Sequence, residues 1–312
     1  MIFSRERCKA KNWLFLSKKM TATPPDVKKG KRFKKRYIVY GLFIAYVVMC
    51  QSCMTMRSTK QEAKQFFDSA KLTYTDTTFD IGGHDIHYIL TGKKDLPTLY
   101  FIHGSPGSWN AFQDYMKDSL LLKKFRLVAV DRPGFGYSDF GNAEDLETQC
   151  TQISALIRFL DNKKTITLVG HSLGGPVVVK LATMHPDRYK NLVILAGSVD
   201  PKAETPEKWR AVIKAVPLRF LIPGALRASN DELWYLKKDL YKMQPDLKNI
   251  NSDVLIVHGT KDPLVPYSNV AFLKFELVNA RSMKVITIEN ANHFIPWEHY
   301  DEIRDAIFKL KV

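Results

Sequence analysis

The sequence predicts an α/β fold, a mostly parallel sheet with helices on both faces, and three observations carry that prediction. From residue 79 onward, short apolar runs alternate with helix-length amphipathic stretches, the rhythm of a parallel sheet with crossover helices. The runs are continuously apolar rather than alternating, as in strands covered on both sides. One run, TITLVGHSLGG at 165–175, passes straight into a glycine-rich turn and then a helical pattern.

The chain has 312 residues and a formal charge of +15. Residues 1–36 hold thirteen Lys/Arg against Glu6 and Asp26, so +11 lies in that tail and only +4 is left for the remainder. A near-neutral body argues against nucleic acid as a partner. Residues 1–36 therefore form a basic tail and residues 37–53 a hydrophobic segment. The uncharged run Tyr37–Cys50 is short against the ~20 residues of a membrane-spanning helix and suits the apolar core of an export signal. With Ser52 before Cys53, it resembles a bacterial lipoprotein signal in which Cys53 is lipidated, although Cys50 and Gln51 stand where such signals carry Leu and a small residue. Three readings stay open: a cleaved lipoprotein signal, an uncleaved signal-anchor helix reaching about Met56, and a buried or cytosolic helix. The first two leave the basic block in the cytoplasm and put the body, membrane-anchored, in the periplasm or outside the cell. Met20 is an alternative start that would shorten the basic lead.

Residues 54–77 read as a polar, partly helical linker and 78–312 as the main domain. FDIGGHDIHYIL (79–90) reads as a β-hairpin turning at Gly82-Gly83. Strands follow at 98–104, 125–136, 165–172, 191–197, 253–260 and 284–290, with helices at 109–121, 145–161, 173–185, 267–278 and 298–310. Residues 199–250 break the rhythm: they contain no convincing strand but carry Trp209, Phe220, Trp234, Tyr235 and Tyr241. They read as a small helical insertion between two sheet strands, either ordinary packing or a lid over a pocket.

GHSLG, placed between a strand and a helix, fits a strained turn that pushes the Ser172 hydroxyl out at the sheet edge. Gly170 and Gly174 leave room where side chains would collide. The amide of Leu173 then sits at a helix N-terminus and can donate to an oxyanion. A serine needs a base. His293, in ENANHFIPWE, follows the last strand, whereas His171 beside the serine reads as a wall or packing residue. The orienting acid is expected between serine and base in chain order. Asp262, in VHGTKDPLVP, is the first choice and Asp200, in LAGSVDP, the second. A second oxyanion donor is expected from HGSPGS (103–108), as the amide of Ser105, because Pro106 has none. His103 is expected to bond within that loop.

HGSPGS, DRPGFGYSD (131–139), GHSLGG, HGTKDPLVP and NANHFIPWE stand in the order and spacing of the α/β-hydrolase superfamily, and residues 78–312 resemble it throughout. The resemblance implies an eight-stranded, mostly parallel sheet with a cap after the sixth strand. It implies Ser172 as nucleophile, Asp262 as orienter, His293 as base, and the amides of Ser105 and Leu173 as oxyanion hole. Phe135 is a residue that could reach the pocket. The chain departs from the HGGG form at the first loop and carries NANH in place of the commoner GxGH. Epoxide hydrolases and haloalkane dehalogenases on this fold have aspartate at the nucleophile position, so Ser172 implies acyl transfer to water. The resulting expectation is a serine carboxylesterase acting on small esters, without metal or organic cofactor. The alternatives are a C–C bond hydrolase of the meta-cleavage type, and a sensor that binds a small molecule without turnover.

Overall fold

The computed structural model describes residues 34–312 apart from Cys53, Pro206 and Val216, so the Cys53 lipidation candidate lies outside the described residues. In chain order the elements are α1 (Lys35–Ser52), α2 (Lys60–Ser69), β1 (Tyr74–Asp80), β2 (Asp85–Thr91), β3 (Thr98–Ile102), α3 (Gln113–Met116), β4 (Arg126–Val130), α4 (Leu146–Phe159), β5 (Ile166–His171), α5 (Gly174–Met184), β6 (Asn191–Leu195), α6 (Trp209–Lys214), α7 (Gly224–Met243), β7 (Asp253–Gly259), α8 (Ser268–Glu276), β8 (Ser282–Ile288), α9 (Ile295–Glu298) and α10 (Tyr300–Phe308).

Among the described residues eight strands form one sheet in the order β1-β2-β4-β3-β5-β6-β7-β8. β2 runs antiparallel to both its neighbours, and every pair from β4 to β8 is parallel. The central strands β3, β4, β5 and β6 are buried at every residue. That burial is why their sequences are mostly apolar. Their successive side chains still divide between two faces, as the pleat requires. Tyr100 and Ile102 pack with α4, α5 and α7, while Leu99 and Phe101 pack with Trp109, Phe112 and the α10 residues Ile303 and Ile307.

The edge strands behave differently. β1 alternates between partly buried and exposed residues. Its sequence, YTDTTFD, is polar enough to read as linker, which is why the expected linker boundary at residue 77 overlaps a strand that begins at Tyr74. The register pairs Asp80 with Asp85 across the turn. Gly82 and Gly83 take φ of +63° and +92°, a backbone region that glycine enters without steric cost.

The helix expected over 109–121 is broken. A 3₁₀ turn at Trp109–Phe112, the short α3 and a second 3₁₀ turn at Leu121–Lys123 replace it. The Asp118 carboxylate accepts from the amides of Leu120 and Leu121 at 2.9 Å each. It thereby caps a new turn in place of continuing the old helix. Residues 199–250 form α6, α7 and two 3₁₀ turns without a strand among the described residues, and this insertion follows β6, the sixth strand in sequence.

The described residues divide into two units, with the boundary between Leu42 and Phe43. Among the described residues no helix is long and apolar enough to cross a membrane.

Candidate active site

Ser172 follows the last residue of β5 and adopts φ of +54°, a conformation that costs a non-glycine residue about 1–2 kcal/mol. The turn is held by the Ser172 amide on the Leu195 carbonyl at 2.9 Å and the Gly175 amide on the Ser172 carbonyl at 2.9 Å. A Cβ on Gly170 would overlap the Gly174 carbonyl, and one on Gly174 would overlap the carbonyl oxygen of Ile102. The glycines are thus steric clearance between β5, α5 and β3. Gly104 serves likewise, since a Cβ there would stand 2.9 Å from Ser172 Cβ.

His293 Nδ1 lies 2.7 Å from Asp262 Oδ2. The other carboxylate oxygen, Oδ1, accepts from the amides of Leu264 at 2.9 Å and Val265 at 2.8 Å. Asp262 is therefore a turn residue and a histidine partner at once, one oxygen for each. Burial opposes its ionisation, but the His293 hydrogen bond and the two amides outweigh burial and hold its carboxyl below the usual range. Asp200 is placed elsewhere: its Oδ1 accepts from the Lys202 amide at 2.8 Å, and its own amide is held by Asn269.

Three further histidines, His103, His171 and His258, are buried. His171 donates from Nε2 to the His293 carbonyl at 3.0 Å and stands edge-on to Trp297. Burial, with His293 alongside, drives its pKa down to about 3. His171 is thus a neutral prop beneath the His293 backbone, as expected of a packing residue. His258 Nε2 bonds the Val265 carbonyl at 3.0 Å and lies 3.6 Å from Asp262 Oδ2, and burial depresses its pKa too. His103 accepts from the Arg132 amide at Nε2, which leaves Nδ1–H to donate to the Gly104 carbonyl at 2.7 Å. It bonds within its loop as expected, and burial beside Arg132 holds it well below the ordinary imidazole value.

Ser172, His293, Ser105 and Leu173 line one cavity of about 930 Å³. Among the described residues the amides of Ser105 and Leu173 donate to no protein acceptor. No hydrogen bond joins the Ser172 hydroxyl to His293 among those residues. The cavity wall also contains the cap residues Glu204, Glu207, Arg210 and Leu236, and Met56 and Arg57 from the segment before α2.

Phe135 does not line the cavity. It is fully buried against Ala225 and Ala228 of α7, with the Arg132 guanidinium 4.8 Å above its ring. Sequence reasoning also passed over Arg132 itself. Its guanidinium bonds the carbonyls of His103 and Gly104 and the carboxylate of Glu232. An acid in the cap helix, in register with other buried positions, is the one signal that could have pointed to it. For Met56 and Arg57 the local sequence holds no signal at all.

The sheet order, the single antiparallel strand inside it and the cap after β6 decide the fold. The chain has the α/β-hydrolase fold. Residues 97–222 match the family described as the alpha/beta hydrolase fold. A non-heme chloroperoxidase of Streptomyces lividans is 29% identical over 252 residues, covering 67% of this chain and 90% of that one. A 1-acylglycerol-3-phosphate O-acyltransferase of Arabidopsis thaliana is 32% identical over 139 residues, 41% of this chain and 33% of that one. The match thus spans only a third of the acyltransferase. Among solved structures, an alpha/beta hydrolase fold protein from Burkholderia ambifaria superimposes with a TM-score of 0.61 at 19% identity, covering 74% of this chain and 96% of that one. Within this α/β-hydrolase scaffold the cavity opens at the carboxyl ends of the parallel strands, where open α/β sheets bind ligands.

Proposed function

We propose that this α/β-hydrolase is a serine esterase that cleaves small carboxylic esters through Ser172, His293 and Asp262. The observation that carries the reading is the pairing of His293 with Asp262 at 2.7 Å on the wall of the cavity that also holds Ser172. His293 Nδ1–H donates to Asp262, so Nε2 is the nitrogen that takes the Ser172 proton. The Ser172 oxygen attacks the ester carbonyl, and the amides of Ser105 and Leu173 receive the oxyanion. Collapse breaks the C–O bond, and His293 returns the proton to the leaving alcohol. Water, deprotonated by His293, then attacks the acyl-serine and releases the acid with Ser172 restored. The strained φ of Ser172 supports the reading, because such strain clusters where a side chain must be presented for chemistry.

The test is turnover of 4-nitrophenyl acetate through octanoate by wild type and Ser172→Ala, with fluorophosphonate labelling of both. Equal rates on every ester, and no labelling that depends on Ser172, would end the proposal.

We further propose that the N-terminal segment attaches the protein to a membrane with the body exported, through lipidated Cys53 or as an uncleaved helix. Its support is the basic tail directly ahead of an apolar run, together with the exposure of Phe43, Ile44 and Val48 on α1. Fractionation of cells expressing wild type and Cys53→Ala checks both parts. Wild-type protein in the soluble fraction contradicts attachment, and unchanged processing of Cys53→Ala contradicts lipidation.

A further inference from the structure

The cavity around Ser172 is walled in part by a short strap, Met54–Ser58, that precedes the first strand of the sheet. The strap is pinned along its length. The Ala225 amide donates to the Met54 carbonyl at 2.9 Å, and the Ser108 hydroxyl to the Met56 carbonyl at 2.7 Å. Asn110 Nδ2 donates to the Ser58 hydroxyl at 3.0 Å, and the Tyr137 hydroxyl to the Ser58 carbonyl at 3.1 Å. These partners come from the cap, from the residues after β3 and from the loop after β4, so the strap bridges three parts of the site.

Arg57 belongs to this strap and lines the cavity. Its guanidinium is held over two rings, 4.7 Å from the centroid of Tyr137 and 4.8 Å from that of Phe140. Nη1 donates to the Gly136 carbonyl at 3.1 Å. Nε and Nη2 donate to nothing among the described residues. The wall holds other charged side chains. Arg210 is paired with Glu207, and Glu204 accepts from the Ser198 hydroxyl. Among the described residues no carboxylate lies within ion-pair distance of Arg57. Among the described residues, Arg57 is thus an oriented cation without a counter-ion, lining the cavity that Ser172 also lines.

We infer that Arg57 binds an oxyanion on the substrate, a carboxylate or phosphate remote from the scissile ester. The inference rests on the proposed role of Ser172 and names the substrate class of that site. A guanidinium already fixed by stacking presents its remaining donors as a planar fork that matches both kinds of oxyanion, and little side-chain freedom is lost on binding. Two sources share this chemistry: half-esters of dicarboxylic acids, and acyl esters of phosphorylated alcohols.

Two matched pairs separate them: mono(4-nitrophenyl) adipate against 4-nitrophenyl methyl adipate, and 1-butyrylglycerol 3-phosphate against 1-butyrylglycerol. For at least one pair, wild type is expected to favour the charged member by about tenfold in kcat/KM, the difference lying in KM, and Arg57→Gln brings that ratio close to one. A ratio that Arg57→Gln leaves unchanged, or a wild type that favours the neutral member of both pairs, overturns the inference. Calorimetric titration of Ser172→Ala with monomethyl adipate and with glycerol 3-phosphate reads the subsite without turnover. Binding lost in Ser172→Ala/Arg57→Gln supports Arg57 even if no ester is cleaved, and binding equal in the two proteins overturns it. Should the Arg57 substitution prevent folding, wild type decides alone. Binding of monomethyl adipate or glycerol 3-phosphate well above that of dimethyl adipate upholds the inference, and its absence refutes it.

Discussion

The Arg132 guanidinium is gripped by both oxygens of the Glu232 carboxylate, Nη1 at 2.6 Å from Oε2 and Nη2 at 2.9 Å from Oε1. Both side chains are almost wholly excluded from solvent. The same guanidinium holds the carbonyls of His103 and Gly104, immediately before the Ser105 amide. One arginine therefore couples cap helix α7 to the loop that carries a proposed oxyanion donor. Removing one partner of such a pair strands a buried charge. Glu232→Ala is expected to cost about 3–5 kcal/mol, and Arg132→Met with Glu232→Leu less than that. Urea denaturation checks this, and a loss below about 1 kcal/mol for Glu232→Ala would show that the pair relaxes toward water.

Asp262 serves its turn with one oxygen and His293 with the other. Asp262→Asn keeps an oxygen for the amides of Leu264 and Val265 but disturbs the tautomer of His293. It is expected to lower kcat on 4-nitrophenyl butyrate by about 10⁴-fold, with Ser172→Ala at least as severe. A loss of tenfold or less for Asp262→Asn would remove Asp262 from the proposed role.

Strain at Ser172 predicts an inverse relation between stability and chemistry. Ser172→Ala and Ser172→Gly both lack the hydroxyl, but only glycine accepts φ of +54° freely. Ser172→Gly is expected to be about 1 kcal/mol more stable than Ser172→Ala, after allowing for the greater freedom of glycine in the unfolded chain. Thermal melting compares the two, and an alanine variant of equal or greater stability refutes the strain argument.

His87 gives a pH-dependent term. Its Nδ1 lies 2.8 Å from Asp131 and its Nε2 3.0 Å from Asp76. Burial lowers its pKa, but the bonds to Asp131 and then Asp76 outweigh burial and the net shift is upward from 6.5. A raised folded-state pKa stabilises fully below the unfolded value and fades as pH rises through the folded one. Wild type is therefore expected to exceed His87→Gln most clearly near pH 6 and by less near pH 9. A gap that widens with rising pH contradicts two carboxylates holding this proton.

The central strands were readable because burial on both faces leaves an unbroken apolar run, as in LYFI of β3 and LVIL of β6. β1 was not, because an edge strand with one face in water is as polar as a linker here. The 109–121 stretch kept its apolar spacing while Asp118 broke the helix, since periodicity reports which residues are buried and not whether one hydrogen-bond ladder joins them. Phe135 sits in a loop with no periodicity to indicate whether its ring turns to the cavity or the cap, and packing against Ala225 and Ala228 decided that.

What the sequence determined alone was the α/β architecture, the glycine clearance around Ser172 and the order of the serine, acid and histidine, because these follow from neighbouring residues and short-range sterics. Only the tertiary structure decided which aspartate meets His293, that Arg132 ties the cap to the Ser105 loop, and that Arg57 reaches the cavity from ahead of the sheet. Each depends on groups separated by tens to a hundred residues whose encounter is set by the packing of whole elements, and no local pattern in the chain encodes such a distance.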